Sequence, residues 1–347
     1  MTRDHLRGLN VDQRKAVTFG VSEDDHLRRP LLVVAGAGSG KTRVIEARVA
    51  HLVVNGVEPD RILLLTFTNK AAAEVRERSI AAIRKAGFPD INLKWAGTFH
   101  SVAARLLRKY GMEIGVDPNF SFQDPDDARA IMKRCYDRLF EDESKPDRKL
   151  IDKAIEVRSR MVNCGLTLSK AAGVADKPLQ AAQLKRLIEA FQDEKRSQNV
   201  MDFDDLLVGW QRLLVGKRTH KAVRRLFDHV LVDEYQDTNW LQADILKKLK
   251  PDGRGLMVVG DDAQSIYSFR GARIGNILEF PDQFEAKTKV IKLRRNGVGR
   301  NSRPKFILIA LLEITSPFCA SPMFARWPML SISRLTASIS SLIAINL

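Results

Sequence analysis

Cysteine is scarce in this chain of 347 residues, and the three that it has, Cys135, Cys164 and Cys319, lie far apart. None belongs to a C-x-x-C pair, so the sequence indicates neither a zinc site nor a disulfide framework. The chain also lacks an apolar run of the roughly 18 residues that a membrane span requires. Residues 1–10 are polar where a secretory signal would have an apolar core. These absences predict a chain without a membrane segment, located in the reducing cytoplasm.

Acidic residues are outnumbered, with 42 Asp and Glu against 57 Lys and Arg, which gives a formal net charge of +15. Such an excess favours a polyanionic partner, and nucleic acid is the usual candidate because each neutralised phosphate releases counterions. The hydrophobic content of 44% and the charged content of 29% are typical of a globular protein. The length allows two domains, or one large domain with an insertion.

Short apolar runs alternate with amphipathic helical patterns along most of the chain. Runs that are apolar on both faces are typical of parallel strands in a sheet covered by helices. Such runs occur at residues 31–34, 62–67, 95–99, 230–232, 256–259 and 290–293. Between residues 112 and 205 the strand pattern disappears, and segments 125–140, 149–163 and 178–198 are helical in pattern and charged. The sequence therefore predicts an α/β fold with a parallel sheet and a helical insertion.

Residues 35–42 carry a pattern that binds nucleotide phosphates. The order A-x-x-x-x-G-K-T follows an apolar run and opens a helix, which is the strand, loop and helix context that phosphate binding requires. Glycines let successive N–H groups turn towards an anion, Lys41 would reach the β- and γ-phosphates, and Thr42 would coordinate Mg²⁺. The predicted nucleotide-binding residues of this loop are Ala35, Gly36, Ala37, Gly38, Ser39, Gly40, Lys41 and Thr42.

Two carboxylates follow the apolar run 230–232, at the strand edge where ligands bind in α/β proteins. One carboxylate can hold Mg²⁺, and the next can orient or deprotonate the water that attacks the γ-phosphate. We therefore predict Asp233 as a metal ligand and Glu234 as a catalytic residue that acts with Lys41.

A polar and aromatic segment follows the apolar run 256–259. The amide of Gln264 can both donate and accept hydrogen bonds, so it can sense a γ-phosphate or its attacking water, and we predict it as a third catalytic residue. Tyr267, Phe269 and Arg270 then bring two aromatic rings and a base together. Aromatic faces stack nucleobases and arginine adds a phosphate or cation–π contact, so this segment can bind nucleic acid. Taken by themselves, Tyr267 and Phe269 favour a place in the core instead.

Taken in order, these motifs resemble those of superfamily 1 DNA helicases of the UvrD/Rep/PcrA type, and the resemblance covers the N-terminal motor half of that family, roughly residues 8–293. It adds an adenine-reading segment at 9–17, with Gln13 in the adenine role, and Arg43 directly after the phosphate loop. It also adds two segments that contact single-stranded DNA, at 66–72 and 97–101. By resemblance, the residues that face single-stranded DNA are Phe67, Asn69, Thr98, His100, Tyr267, Phe269 and Arg270.

The resemblance implies a RecA-like P-loop NTPase domain in two parts, residues 1–111 and 206–293, interrupted by a helical insertion subdomain at 112–205 and followed by an atypical tail at 294–347. It implies ATP and Mg²⁺ as cofactors and ATP-driven 3′-to-5′ unwinding as the activity. The implied partner is single-stranded DNA or DNA with a 3′ single-stranded tail, and protein partners are not identified. DNA repair is the common setting of the family.

The composition changes near residue 296, because residues 297–347 contain one acid, Glu313, five bases and eight serines. The family motif Leu-x-x-Asn-Tyr-Arg-Ser begins at Leu293 and reaches Asn296, and Val298 then stands where the family has an arginine that contacts the γ-phosphate. We interpret this break as a frameshift or truncation. Since such a motor needs two domains that close on ATP, we expect weak or absent unwinding.

The residues leave two other functions open. The chain can be a binding module that holds ATP, Mg²⁺ and single-stranded DNA without productive turnover. It can also be a different P-loop enzyme, such as a small-molecule kinase, against which the paired Asp233 and Glu234, the Gln264 segment and the positive charge count.

Overall fold

The computed structural model describes residues 4–21, 29–141, 148–173, 180–261 and 275–294. In these ranges no helix is both long and apolar enough to cross a membrane. The predicted atypical tail at 294–347 lies outside the described residues except for Arg294.

A parallel sheet organises the described chain. Its strands are β1 (Leu31–Ala35), β2 (Ile62–Thr66), β3 (Ala96–Thr98), β6 (His229–Val232), β7 (Leu256–Gly260) and β8 (Lys289–Leu293), and a separate pair is formed by β4 (Ser121–Phe122) and β5 (Val200–Met201). The six strands of the main sheet run in the order β3-β2-β6-β7-β1-β8, and every neighbouring pair is parallel. All six carboxyl ends therefore lie at one edge. The predicted α/β class with a parallel sheet is confirmed, and each predicted apolar run overlaps one of these strands.

Helices connect the strands and cover the sheet. They are α1 (Val11–Thr18), α2 (Lys41–Val54), α3 (Asn69–Lys85), α4 (Phe99–Tyr110), α5 (Pro125–Leu139), α6 (Arg148–Cys164), α7 (Leu168–Gly173), α8 (Ala181–Ser197), α9 (Phe203–Val215), α10 (His220–Arg224), α11 (Trp240–Leu249) and α12 (Gly275–Glu279). Short 3-10 helices lie at Asp4–Leu6, Pro59–Arg61, Gly111–Ile114, Tyr235–Asp237 and Phe280–Asp282.

Local chemistry determines where the helices next to the phosphate loop begin and end. The hydroxyl of Thr68 accepts a hydrogen bond from the backbone N–H of Ala71 at 3.1 Å, so Thr68 caps α3 and Asn69 is its first helical residue. Beyond the ends of α2 and α3, Gly56 and Gly87 adopt the left-handed backbone that stops a helix, with φ of 88° and 100°. The helix that the sequence predicts directly after the phosphate loop is confirmed.

The apolar side chains of the central strands alternate between two cores. Leu32, Leu63, Val230 and Val258 point to the face covered by α4, α9 and α11, where Trp210 is fully buried. The intervening strand residues point to the face covered by α1, α2 and α3. Because helices cover both faces, the strands are apolar throughout, as the sequence predicts.

The helical insertion, which we define as α5 to α8, has an apolar core of its own. Met132, Val157, Leu187 and Phe191 are among its buried side chains. Within the predicted helical region the structure also contains β4 and β5, which pair Phe122 with Met201 in parallel and which the sequence pattern does not indicate. Strands of two residues are too short to show a periodicity. The subdomain boundaries at 111, 205 and 293 remain predictions.

Candidate functional site

The phosphate loop joins β1 to α2 at the carboxyl edge of the sheet. Gly38 and Gly40 have φ of 76° and 88°, a left-handed conformation that favours glycine. Ser39 closes the loop, because its backbone N–H and its hydroxyl donate to the carbonyl of Gly36 at 3.2 and 2.7 Å. Gly36, Ala37 and Gly38 are exposed at the tip. The loop therefore presents bare backbone to solvent in front of the positive end of α2, which suits an anion.

Lys41 lies between carboxylates that follow two neighbouring strands. Its Nζ lies 3.2 Å from Oε2 of Glu234, which follows β6, and 3.6 Å from Oδ2 of Asp261, which follows β7. The Lys41 side chain is 12% exposed and that of Asp261 is 1% exposed, whereas Glu234 is 38% exposed and faces solvent. The structure thus brings the predicted catalytic lysine and glutamate into direct contact.

Gln236 holds the two acidic strand ends together. Its Nε2 donates to Oε2 of Glu234 at 2.7 Å, and its Oε1 accepts the backbone N–H of Asp261 at 3.0 Å. Glu234 has φ of 49° and ψ of 46°, a left-handed conformation that a residue other than glycine seldom adopts. Such strain persists only where the surroundings enforce it, and it is common at functional sites.

Asp233 is the buried acid of the pair, with 8% of its surface exposed. Burial and the neighbouring charge of Glu234 raise the pKa of Asp233 to about 6, against the opposing effect of a hydrogen bond from the Glu234 N–H and of the Lys41 charge. A divalent cation beside this carboxylate would favour its ionised form. The hydroxyl of Thr42 in the first turn of α2 supplies a second hard oxygen, so the donor set suits Mg²⁺.

The described residues contain no group of three or more His, Cys, Asp or Glu arranged to hold a metal ion. A site built from Asp233 and Thr42 is therefore of the kind in which substrate phosphates and water supply the remaining ligands. The assignment of both residues as Mg²⁺ ligands stays a prediction.

Gln13 and Arg43 lie beside the phosphate loop, next to Gly40. Gln13 is 4% exposed, and its Nε2 donates to the carbonyl of Ser39 at 2.9 Å. Its Oε1 accepts the backbone N–H of Asn10 at 3.0 Å, which completes the cap of α1. Arg43 donates from Nη2 to the carbonyl of Arg7 at 3.2 Å. Gln13, the predicted adenine-reading residue, thus contacts the phosphate loop, and Arg43 contacts the segment before α1. Their roles towards a nucleotide stay predictions.

Phe67 and Asn69 follow β2 at the same edge of the sheet. Phe67 is 45% exposed, although an apolar residue next to a buried strand usually lies in the core, and Asn69 is exposed as well. Since Thr68 caps α3, the amide of Asn69 is not used as the cap. An exposed ring beside an exposed amide suits contact with a nucleobase.

Thr98 is the last residue of β3, the next strand along, and His100 follows it in the first turn of α4. Thr98 is 8% exposed, and its hydroxyl accepts the backbone N–H of Ser101 at 3.2 Å, so it caps α4. The described hydrogen bond of the Thr98 side chain therefore stabilises the start of α4. His100 is half-buried, and burial lowers the pKa of its imidazole. A neutral ring at this position can stack and form hydrogen bonds without carrying charge.

Phe203 lies next to His100, although no sequence motif indicates a role for it. Its ring is 58% exposed and meets the ring of His100 edge-on, with 5.2 Å between the centroids. The sequence does contain one indication of this exposure. Phe203 directly follows Asp202, which caps α9, so it stands before the apolar stripe of that helix begins. Asp261 and Gln236 were likewise missed, because their contact with Lys41 and Glu234 depends on strand order.

Four predicted site residues, Gln264, Tyr267, Phe269 and Arg270, lie outside the described residues, in the segment 262–274. The structure therefore leaves their predicted roles at the γ-phosphate and at DNA as predictions.

The sequence matches the family described as UvrD/REP helicase N-terminal domain over residues 9–285. Its similar relatives include ATP-dependent DNA helicase UvrD1 of Mycobacterium tuberculosis (strain ATCC 25618 / H37Rv), which is 38% identical over 303 residues, covering 84% of this chain and 37% of the relative.

ATP-dependent DNA helicase PcrA of Leuconostoc citreum is 42% identical over 280 residues, covering 80% of this chain and 35% of the relative. A probable DNA helicase II homolog of Rickettsia felis is 38% identical over 299 residues, covering 85% of this chain and 43% of the relative. The chain therefore spans less than half the length of these curated relatives.

Proposed function

Because the chain belongs to the UvrD/REP helicase N-terminal domain family, we propose that it binds ATP with Mg²⁺ and single-stranded DNA on one edge of its sheet, and that DNA stimulates hydrolysis of the ATP. The relatives named ATP-dependent DNA helicases support this proposal. A cytoplasmic location belongs to the same proposal.

The observation that carries the proposal is the contact of Lys41 with Glu234 and Asp261 behind an exposed glycine loop. The loop supplies backbone N–H groups for phosphate oxygens, and Lys41 supplies a positive charge where negative charge develops during phosphoryl transfer. When phosphates compete for Lys41, the Glu234 carboxylate is released from its ion pair. It can then accept the proton of a water that attacks the γ-phosphate.

Mg²⁺ would contribute neutralisation of the phosphate charge. Asp233 and Thr42 are the residues that would hold it. The buried Asp233 carboxylate needs a nearby positive charge to ionise fully at neutral pH, since its pKa is raised to about 6. This requirement and the oxygen donor set support the assignment.

The strand order supports a connection between the nucleotide and DNA surfaces. β2 and β3 carry Phe67 and His100, and β2 lies directly beside β6, which carries Glu234. Neighbouring strands are about 4.8 Å apart, so the two surfaces meet along one edge. If nucleotide binding shifts the segment after β6, the residues after β2, which include Phe67, would shift with it.

We propose 3′-to-5′ movement on a 3′ single-stranded tail as the family direction, with weak unwinding by this 347-residue chain tested alone. Val298 stands where the family motif has its γ-phosphate arginine, and a trans arginine can contribute about 10³- to 10⁵-fold in rate. The same observation favours a second candidate function, an ATP- and DNA-binding module without productive turnover.

Steady-state ATP hydrolysis by the purified chain, with and without a single-stranded oligonucleotide, tests the proposal. We expect a low basal rate that the oligonucleotide raises. Binding of nucleotide and oligonucleotide without turnover would favour the module instead. A chain that binds neither would contradict both functions.

Phe67→Ala and Phe203→Ala are each expected to weaken binding of single-stranded DNA by about five- to a hundredfold, since stacking contributes about 1–3 kcal/mol per base. Fluorescence anisotropy of a labelled oligonucleotide measures this. Met112→Ala is the matched control, because Met112 is 71% exposed and lies in the 3-10 helix after α4, separated from the carboxyl end of β3 by the length of α4. Unchanged affinity in both phenylalanine variants would remove these rings from the DNA surface.

A further inference from the structure

One side-chain hydrogen bond joins the segment after the catalytic acids to the helical insertion. Nδ2 of Asn239 donates to Oδ1 of Asn163 at 2.9 Å, and the two residues are 76 positions apart in sequence. Asn239 caps α11, because its Oδ1 accepts the backbone N–H of Gln242 at 2.9 Å. Asn163 lies in the last turn of α6. The cap of a sheet-covering helix thus also binds the insertion.

On the sheet side, Asn239 is connected to Glu234 by a short rigid path. The 3-10 helix Tyr235–Asp237 follows Glu234 directly, and the hydroxyl of Thr238 donates to the carbonyl of Tyr235 at 2.6 Å. Asn276, which is 3% exposed, donates from Nδ2 to the carbonyl of Thr238 at 2.8 Å. The backbone between Glu234 and Asn239 is therefore fixed by hydrogen bonds at several points.

On the insertion side, Asn163 is held by residues that are themselves fixed. Its Nδ2 donates to Oδ1 of Asp204 at 2.8 Å and to the hydroxyl of Ser159 at 3.0 Å. Asp204 also lies 3.5 Å from Nη1 of Arg158, whose side chain is 4% exposed. Arg158 and Ser159 belong to α6, whereas Asp204 belongs to α9. Asn163 is thus fixed both to α6 of the insertion and to α9.

The chain is closely packed beside this hydrogen bond. Gly165 has φ of 63°, and a Cβ on it would lie 2.8 Å from the ring of Trp240, the first residue of α11. The chain therefore passes close against Trp240 just after Asn163. A movement of the cap of α11 must displace the end of α6 or break the contact between them.

We propose that the Asn163–Asn239 hydrogen bond transmits nucleotide binding from Glu234 to the helical insertion, with both asparagines as positioning residues. The inference rests on the proposed function. The two-state element is Glu234: its left-handed backbone is held while its carboxylate is paired with Lys41 and Gln236. Competition of phosphates for Lys41 removes one of these restraints, and the 3-10 helix that follows moves with the relaxed backbone.

Hydrogen–deuterium exchange of the full chain, with and without AMP-PNP and Mg²⁺, tests the inference. We expect nucleotide to change the exchange of α6 and α8 at least twofold in the wild-type chain. Asn239→Ser keeps a capping hydroxyl for α11 but cannot reach Asn163, and Asn163→Ala removes the other partner. Both variants are expected to bind nucleotide normally and to lose the response of α6 and α8.

Gln211→Ala is the matched control, because Nε2 of Gln211 donates to Oδ2 of Asp244 at 2.6 Å and links α9 to the same helix α11 without reaching the insertion. It should keep the response. DNA stimulation of hydrolysis should fall about fivefold or more in each of the two asparagine variants. The double variant should lose no more of this stimulation than the more strongly affected single variant.

Thermal melting of each variant checks that it folds, and the second asparagine variant carries the test if the first does not. Nucleotide binding without an insertion response in the wild type, or an equal response in all variants, would overturn the inference and leave the proposed function standing. A wild-type chain that binds no nucleotide in a direct titration would remove the proposed function and the inference with it.

Discussion

Lys41→Ala is expected to lower ATP hydrolysis by about 10²- to 10³-fold or more, the range seen when one preorganised transition-state donor is removed. Lys41 is the described cation that contacts both Glu234 and Asp261, so its removal also leaves two carboxylates facing the phosphate site. Nucleotide affinity should therefore fall together with the rate. Steady-state hydrolysis and a direct nucleotide titration measure the two effects.

Lys85→Ala is the control for a general loss of positive charge, since Lys85 is exposed in the last turn of α3. It should hydrolyse ATP at the wild-type rate. Persistent hydrolysis in Lys41→Ala would mean that the phosphate site has been assigned to the wrong loop. Loss of activity in both variants would instead indicate a contribution of overall charge.

Arg158→Met is expected to lower the free energy of unfolding by about 3–5 kcal/mol, the usual cost when one partner of a buried ion pair is removed. Arg158 lies 2.9, 3.5 and 2.5 Å from carboxylate oxygens of Asp202, Asp204 and Asp205. Burial alone would raise the pKa of Asp202, but the charges of Arg158 and Lys195 outweigh it and hold that pKa below its usual range. Without Arg158, Asp202 and Asp205 keep their ion pairs with Lys195, whereas Asp204 loses its ion pair with Arg158.

Denaturant unfolding followed by circular dichroism measures this loss. Arg196→Ala is the matched control, because Arg196 pairs with Asp193 at 2.5 Å while both side chains are at least 70% exposed. Exposed pairs contribute between about zero and 1 kcal/mol, so the control should unfold almost like the wild type. A loss below about 1 kcal/mol for Arg158→Met would show that the carboxylates take up protons or water instead.

Patterns of consecutive residues predicted most of the fold. The strand at Leu31–Ala35, the phosphate loop after it and the start of α2 lie within a dozen residues, so local chemistry determines them. The start of α3 is local as well, because the hydroxyl of Thr68 accepts a hydrogen bond from the N–H of Ala71, three residues further along. The parallel arrangement followed because the strands are apolar on both faces.

Contacts that depend on strand order could not be predicted in this way. Gln236 joins Glu234 to Asp261 only because β6 and β7 are neighbours, and no spacing along the chain encodes that. Phe203 of α9 reaches His100 of α4 across about a hundred residues of sequence, and only the packing of these two helices brings the rings together. The roles of Gln264 and of the aromatic segment after it stay predictions.

The strands that lie together in the sheet leave the ribosome at very different times. β2 pairs Ile62 with His229 of β6, and β1 lies between β7 and β8, so neither early strand has its central partner until the helical insertion has been synthesised. At about 5–20 residues per second, β6 follows β2 by roughly ten to thirty seconds. The nascent chain must shield Leu63 and Leu65 during that interval, so its yield in cells should depend on chaperones and on the speed of translation through the insertion.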